Sequence, residues 1–262
     1  MNKKLEIKKG EIHLWITIPE QITDPLLLKR YRELLTEEEK NRVNRYRFEK
    51  DQHSSLVTRA FIRSTLSHYS DMAPQEWRFS KGEKDKPEII NPPLPLRFNL
   101  SHTEGMVICA ITLENDIGCD VEYIGRDNDV LAIADRYFSP QETRELFSLP
   151  ENAQRDRFFD YWTLKESYIK AWGLGLAIPL DDFSFTILSS EDPFINNHIR
   201  LSFAPHRIDY PELWHSWLLY PNDKHRMAIS IQSEAQASHS LHFYHSTPLV
   251  SYSPTNLPFK YS

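Results

Sequence analysis

Two cysteines in 262 residues, Cys109 and Cys119, are too few for a disulfide framework and lack the second pair that a structural zinc site would want. Both read as buried strand residues. No run approaches the roughly 20 apolar residues of a membrane span. The opening Met1-Asn2-Lys3-Lys4-Leu5-Glu6 has basic residues without an apolar stretch behind them, so a signal peptide is not expected. A cytoplasmic protein without a membrane partner is the expectation. Excess positive charge is missing too: the net charge is −6 and the pI is near 6.0, which argues against a nucleic-acid partner. Residues 29–63 run the other way, with ten Lys or Arg against six Asp or Glu, a local setting for an anion. With 40% hydrophobic, 26% charged and 12% aromatic residues, the composition is that of an ordered globular protein. It has room for one large domain or two of about 110 to 140 residues.

Pattern and punctuation organise the chain. Ile12 to Ile18 reads as an opening strand, Thr36 to Glu39 has the form of a capping box, and Asp51 to Tyr69 carries a helical stripe of Leu56, Ala60, Phe61 and Leu66. Pro87, Pro92, Pro93 and Pro95 mark a loop. Strands follow at Arg97 to His102, Met106 to Thr112 and Ile117 to Tyr123. Short helices then lead to a long one at Phe158 to Trp172, followed by strand-like stretches near residues 183–188, 199–203, 215–220 and 227–231. Residues 246–262, with Pro248, Pro254 and Pro258, read as an irregular tail.

Within this frame Ile117-Gly118-Cys119-Asp120-Val121-Glu122 carries the sharpest chemistry. On a strand, Gly118, Asp120 and Glu122 share one face, so two carboxylates stand side by side. They repel unless a cation lies between them, and Mg²⁺, which prefers oxygen ligands, suits them. A solvated polar face is the plain alternative. In the long helix, Lys165 and Glu166 project from a stripe of Phe158, Phe159, Trp162 and Trp172, which suggests paired or ligated charges. Alternatively, Glu166 and Lys170 pair on the surface at i,i+4 while Lys165 snorkels. Ser101 and His102 end the strand Phe98-Asn99-Leu100-Ser101-His102 and can both hydrogen-bond a phosphate oxygen. Lys86 sits in the loop Gly82-Glu83-Lys84-Asp85-Lys86-Pro87. Each is matched by a plain reading as a surface loop or hairpin end.

In order, G-x-x-x-K-P at Gly82 to Pro87, F-N-L-S-H at Phe98 to His102, G-C-D-V-E at Gly118 to Glu122 and W-T-L-K-E-S-Y-I-K at Trp162 to Lys170 resemble the Sfp-type 4′-phosphopantetheinyl transferases. The resemblance runs over about residues 10 to 232. It implies an α+β fold of two similar halves packed as a pseudo-dimer, residues 1–113 and 114–245, with coenzyme A in the cleft between them. It also implies a monomer. The activity it implies is Mg²⁺-dependent transfer of the 4′-phosphopantetheine of coenzyme A to a serine of an acyl or peptidyl carrier protein, releasing 3′,5′-adenosine bisphosphate. Mn²⁺ would satisfy the same carboxylates. Position by position, it makes Asp120, Glu122 and Glu166 the metal ligands, and Ser101 and His102 the pyrophosphate contacts. Lys86 becomes the loop lysine near adenine and phosphates, and Lys165 and Lys170 the helix lysines near the phosphates. Glu166 is the candidate base for the carrier serine.

Two places depart from the family's pattern. Gln52, His53, Ser54 and Ser55 stand where an arginine for the coenzyme A 3′-phosphate is common, leaving Lys50, Arg42 or Lys40 to take that part. In Arg136-Tyr137-Phe138-Ser139-Pro140-Gln141-Glu142, a capping box with Pro140 at the first helical position explains Glu142 without catalysis. A metal-dependent phosphotransferase or pyrophosphatase acting on another nucleotide is the alternative enzyme class.

Overall fold

Alternation decides the strands and capping decides the helices in a computed structural model that describes residues 4–82, 86–173, 178–188 and 198–261. Strand β1 (Glu11–Thr17) leads into α1 (Pro25–Leu34), α2 (Glu37–Asn44) and α3 (Glu49–Leu66). A short hairpin, β2 (Phe79–Lys81) and β3 (Pro87–Ile89), precedes β4 (Leu96–Thr103), β5 (Met106–Leu113) and β6 (Ile117–Tyr123). The chain continues through α4 (Val130–Tyr137), α5 (Pro140–Ser148) and α6 (Glu151–Trp172). Strands β7 (Phe183–Ile187), β8 (Ile199–Phe203), β9 (Trp214–Asn222), β10 (His225–Gln232), β11 (Ser240–Thr247), β12 (Ser251–Thr255) and β13 (Phe259–Tyr261) complete it. Both expected capping boxes form: Thr36 and Glu39 open α2, and Ser139 and Glu142 open α5 behind Pro140.

The fold is α+β, built on a five-stranded sheet of order β12-β11-β1-β5-β4 and a four-stranded sheet of order β13-β9-β10-β6. They pack face to face. Ile12, Leu14 and Ile16 of β1, with Ile108 and Ala110 of β5, meet Ile117, Cys119 and Val121 of β6 and Ile229 of β10. The outer face of the first sheet carries Trp15, Val107, Cys109 and Ile111 against Phe61, Ile62 and Leu66 of α3. Outside the second sheet, Leu218 and Ala228 pack against Phe158, Leu164 and Tyr168 of α6. Being buried on both faces, β5 is apolar almost throughout, and both cysteines are free and fully buried within this stack. No helix among the described residues is long and apolar enough to cross a membrane.

The end of the chain corrects the expectation of an irregular tail over residues 246–262. There β11 pairs in parallel with β1, β12 pairs with β11, and β13 pairs with β9, so the last residues serve both sheets. Pro254 is compatible with a strand because β12 is an edge, where a missing N–H leaves no ladder bond unmade. The stretch expected as a proline loop likewise begins with the short strand β3.

Gly118 lets β6 lie against α6. A Cβ added there would come within 2.0 Å of the Ser167 carbonyl oxygen and 2.3 Å of the Ala171 nitrogen, both backbone atoms that cannot step aside singly. Gly118→Ala is therefore expected to cost about 3 kcal/mol through displacement of α6. An unchanged denaturation midpoint would show that the two elements do not need this contact.

Candidate active site

Every second residue of β4 reaches across to β6. Asn99 Oδ1 accepts the Cys119 N–H at 2.9 Å, Ser101 Oγ accepts the Val121 N–H at 3.3 Å, and Thr103 Oγ1 accepts the Tyr123 N–H at 3.2 Å. The edges of the two sheets are thus joined by side chains in place of a main-chain ladder. The period-two polar set Asn99, Ser101, Thr103 is visible in the sequence, but its partner strand is not. On the opposite face of β4, Phe98, Leu100 and His102 line a cavity of about 970 Å³ that α2 and α3 close from the other side.

Asp120 and Glu122, on the β6 face turned toward α6, receive the helix residues there. Ser101 Oγ donates to Asp120 Oδ1 at 2.9 Å, and Lys170 Nζ donates to both, at 2.6 Å to Asp120 Oδ1 and 2.9 Å to Ser101 Oγ. Burial alone would lower the Lys170 ammonium, but the adjoining Asp120 carboxylate carries it above the ordinary lysine value. Glu122 is pushed up to about 7 by burial and then by the charge of Asp120, while Arg126, 3.1 Å away, partly offsets this. Glu166 is pushed up to about 7 by the same two causes, with Lys170 opposing. Burial and the nearby Lys170 lower His102, which favours its neutral imidazole.

Asp120 raises the proton affinity of both Glu122 and Glu166, so the site is short of positive charge. Asp120 Oδ2 is buried without a partner, an arrangement that costs free energy unless another group ligates it, while Glu122 Oε2 has the Arg126 guanidinium at 3.1 Å and no hydrogen bond. An all-oxygen donor set with an unfilled buried acceptor on Asp120 fits a hard divalent cation such as Mg²⁺. The three are electrostatic neighbours rather than a closed ligand trio. Among the described residues only Glu11, His13 and His242 bring one ligand atom each within 4.8 Å of one another.

The remaining expected residues fall into different places. Lys170 is in the cluster, paired with Asp120 rather than at i,i+4 with Glu166. Lys86 Nζ lies 3.4 Å from the carbonyl oxygens of Ile117 and Ala171, where the hairpin end meets the start of β6 and the end of α6. It lines a second cavity, of about 470 Å³, with Arg97 and Asp116, and Glu83, Lys84 and Asp85 of its motif lie outside the described residues.

Lys165 requires a correction. It neither snorkels nor faces a phosphate site: it is fully buried, ion-paired with Glu142 Oε2 at 2.7 Å, and donates to the Leu180 and Phe183 carbonyls. One residue on a helix is about 100° of turn, enough to aim Lys165 into the α5–α6–β7 core while Glu166 faces β6. Glu142 therefore does more than cap α5, since it also accepts the Phe185 N–H. Lys50 is corrected as well. It is exposed in the first turn of α3 and outside the large cavity, and Lys40 is ion-paired with Glu37. The cavity takes its basic lining from Arg42, Arg59, Arg63, Arg78 and Lys81 instead. Arg63 is bound to Glu39 and the Trp77 carbonyl, Arg59 pairs with Glu39 at 3.8 Å, and the Nε of each is buried without a hydrogen bond. Arg59, Arg78 and Arg126 escaped the sequence reading because they lie outside the four motifs, and Asn99, inside one, because it is uncharged.

Residues 116–230 match the family model described as the 4′-phosphopantetheinyl transferase superfamily, and residues 26–114 match the one described as 4′-phosphopantetheinyl transferase, N-terminal. The chain is 36% identical over 157 residues to the 4′-phosphopantetheinyl transferase Sfp of Bacillus subtilis, covering 60% of this chain and 68% of that one. This chain belongs to the 4′-phosphopantetheinyl transferase family. The transferase is also 29% identical over 232 residues to the 4′-phosphopantetheinyl transferase HetI of Nostoc sp., covering 87% of this chain and 90% of the other. A third relative, the 4′-phosphopantetheinyl transferase gsp of Aneurinibacillus migulanus, is 32% identical over 170 residues, which is 65% of the transferase and 69% of that protein. Residues 26–114 contribute Ser101 and His102 and residues 116–230 contribute the three carboxylates and Lys170, so the cluster draws on both matched stretches.

Proposed function

We propose that the transferase moves the 4′-phosphopantetheine of coenzyme A onto a serine of an acyl or peptidyl carrier protein, with the diphosphate held at the junction of β4, β6 and α6. The convergence of Ser101, Asp120 and Lys170 beside a buried Asp120 oxygen without a partner carries this reading. In it, residues 1–113 supply the cavity for the nucleotide and residues 114–245 supply the carboxylates. The carrier serine oxygen bonds to the phosphorus next to pantetheine while the bond from that phosphorus to the bridging oxygen breaks, releasing 3′,5′-adenosine bisphosphate. Glu166, on the face of α6 turned toward Asp120, accepts the serine proton. His102, neutral and facing the cavity, hydrogen-bonds a phosphate oxygen, and Lys170 offsets charge gathering on the leaving group. Asp120, Glu122 and Glu166 would hold Mg²⁺, which when bound neutralises diphosphate charge. Arg59, Arg42 and Arg78, in the cavity wall, take the 3′-phosphate part for which the sequence offered Lys50, Arg42 or Lys40.

The test is incubation of the protein with coenzyme A, Mg²⁺ and a panel of apo carrier proteins, read by intact-protein mass. A gain of one phosphopantetheine is expected, and none on any carrier would overturn the reading. Turnover of coenzyme A without a protein acceptor would favour the phosphotransferase or pyrophosphatase alternative.

Proton linkage supplies a separate prediction. Glu122 and Glu166 titrate near 7 in the folded chain against 4.5 for an ordinary glutamate, so folding takes up protons between those values. Their contribution to stability falls as pH rises through that window. In chelator, the unfolding temperature should decline from pH 5 to pH 8, and added Mg²⁺ should raise it more at pH 8 than at pH 6, where protons compete. An equal Mg²⁺ effect at both pH values would count against the ligand set.

A further inference from the structure

Away from the carboxylate cluster, the α3-side face of β1 ends in a corner that the helix leaves uncovered. Glu11 and His13 stand two residues apart on that face, and the parallel register sets His242 of β11 directly beside His13. One ligand atom from each of the three lies within 4.8 Å of the other two. His13 is buried, Glu11 half-buried and His242 exposed, so the corner opens to solvent on the His242 side.

Two of the three side chains are already oriented. His13 Nδ1 lies 2.8 Å from the Tyr69 hydroxyl, which also accepts the Trp15 indole N–H at 2.7 Å, and Glu11 Oε2 accepts the Lys8 N–H at 2.8 Å. Ligating histidines characteristically have the second ring nitrogen held in this way. The arrangement turns His13 Nε2 toward Glu11 Oε2 at 3.6 Å, too long for a hydrogen bond. It is close to the roughly 3.3 Å expected between two ligands of a tetrahedral zinc ion bound at about 2.0 to 2.1 Å.

We propose that Glu11, His13 and His242 form a binding site for a divalent transition-metal ion of the Zn²⁺ class, distinct from the carboxylate cluster. Two imidazoles and one carboxylate favour Zn²⁺ over Mg²⁺, and they leave one tetrahedral position for water. The ion would clip β1, near the start of the chain, to β11, which returns to the same sheet after the whole second half. Tyr69 is a positioning residue for this site.

The full-length protein, stripped of metal and kept in excess Mg²⁺ to fill the carboxylate cluster, would be titrated with Zn²⁺ by calorimetry and by thermal unfolding. One tight site and a rise in unfolding temperature are expected. His242→Ala, at an exposed position, and Glu11→Gln should each weaken binding by at least about tenfold, and Tyr69→Phe by about tenfold. His215→Ala, at a separate histidine pair with His239, should leave it unchanged. His242→Ala should keep wild-type transfer activity. Zn²⁺ binding of equal strength in wild type and His242→Ala, a loss in His215→Ala equal to that in His242→Ala, or no binding would each overturn the proposal.

Discussion

Asp120→Ala is expected to lower phosphopantetheine transfer by at least about 1000-fold while the chain stays folded. Asp120 is where the two halves of the site meet: its Oδ1 holds Ser101 from β4 and Lys170 from α6, and its Oδ2 is a buried oxygen with no hydrogen bond. It is also the charge that raises both Glu122 and Glu166. Alanine thus removes a proposed ligand, releases Lys170 and lowers the proton affinity of the base in one step. Folding should suffer little, because the Lys170 side chain is 28% exposed and can turn to water once its partner is gone. Transfer would be followed as mass gain on the carrier, and folding by denaturant titration. A variant that turns over near the wild-type rate would refute the assignment of Asp120.

Lys165→Met should behave in the opposite manner, with a loss of about 3 to 5 kcal/mol in stability and little change in turnover per folded molecule. The ammonium lies in the core against Glu142, both fully buried, so methionine would leave a carboxylate there with no counter-charge. Burial lowers Lys165 and raises Glu142, and their mutual attraction opposes both effects. Adding Glu142→Leu should recover much of the loss by removing the stranded charge, although the cap of α5 and the acceptor for Phe185 N–H go with it. The matched variant Lys170→Met should reverse the order, lowering turnover strongly and stability weakly. If Lys165→Met kept full stability and lost transfer, Lys165 would belong to the phosphate site after all.

These two lysines show where reading the chain succeeds and where it stops. Both stand in W-T-L-K-E-S-Y-I-K, and the helical period correctly finds them on the long helix that also carries Glu166. Which face of that helix meets β6 is another matter, because α6 is wrapped on several sides and has no single apolar stripe to orient it. Lys50 fails for a related reason. Its charge and position suit an anion, but α3 turns Asp51, Ser54, Ser55, Thr58 and Arg59 into the cavity and aims Lys50, one residue before Asp51, away from it. The tail was misread because prolines speak against strands in general, yet an edge strand tolerates one.

Local order was decided by the amino-acid sequence itself. Alternation placed Asp120 and Glu122 on one face, the caps set the starts of α2 and α5, and the four motifs identified the family, because each depends on residues near one another along the chain. Contacts between residues far apart were decided only by the tertiary structure. Joining β4 to β6 through Asn99, Ser101 and Thr103, pairing Lys170 with Asp120, burying Lys165 against Glu142 and returning β11 to β1 all follow from how two sheets and α6 pack together. That packing is a property of the whole core, and no single segment encodes it.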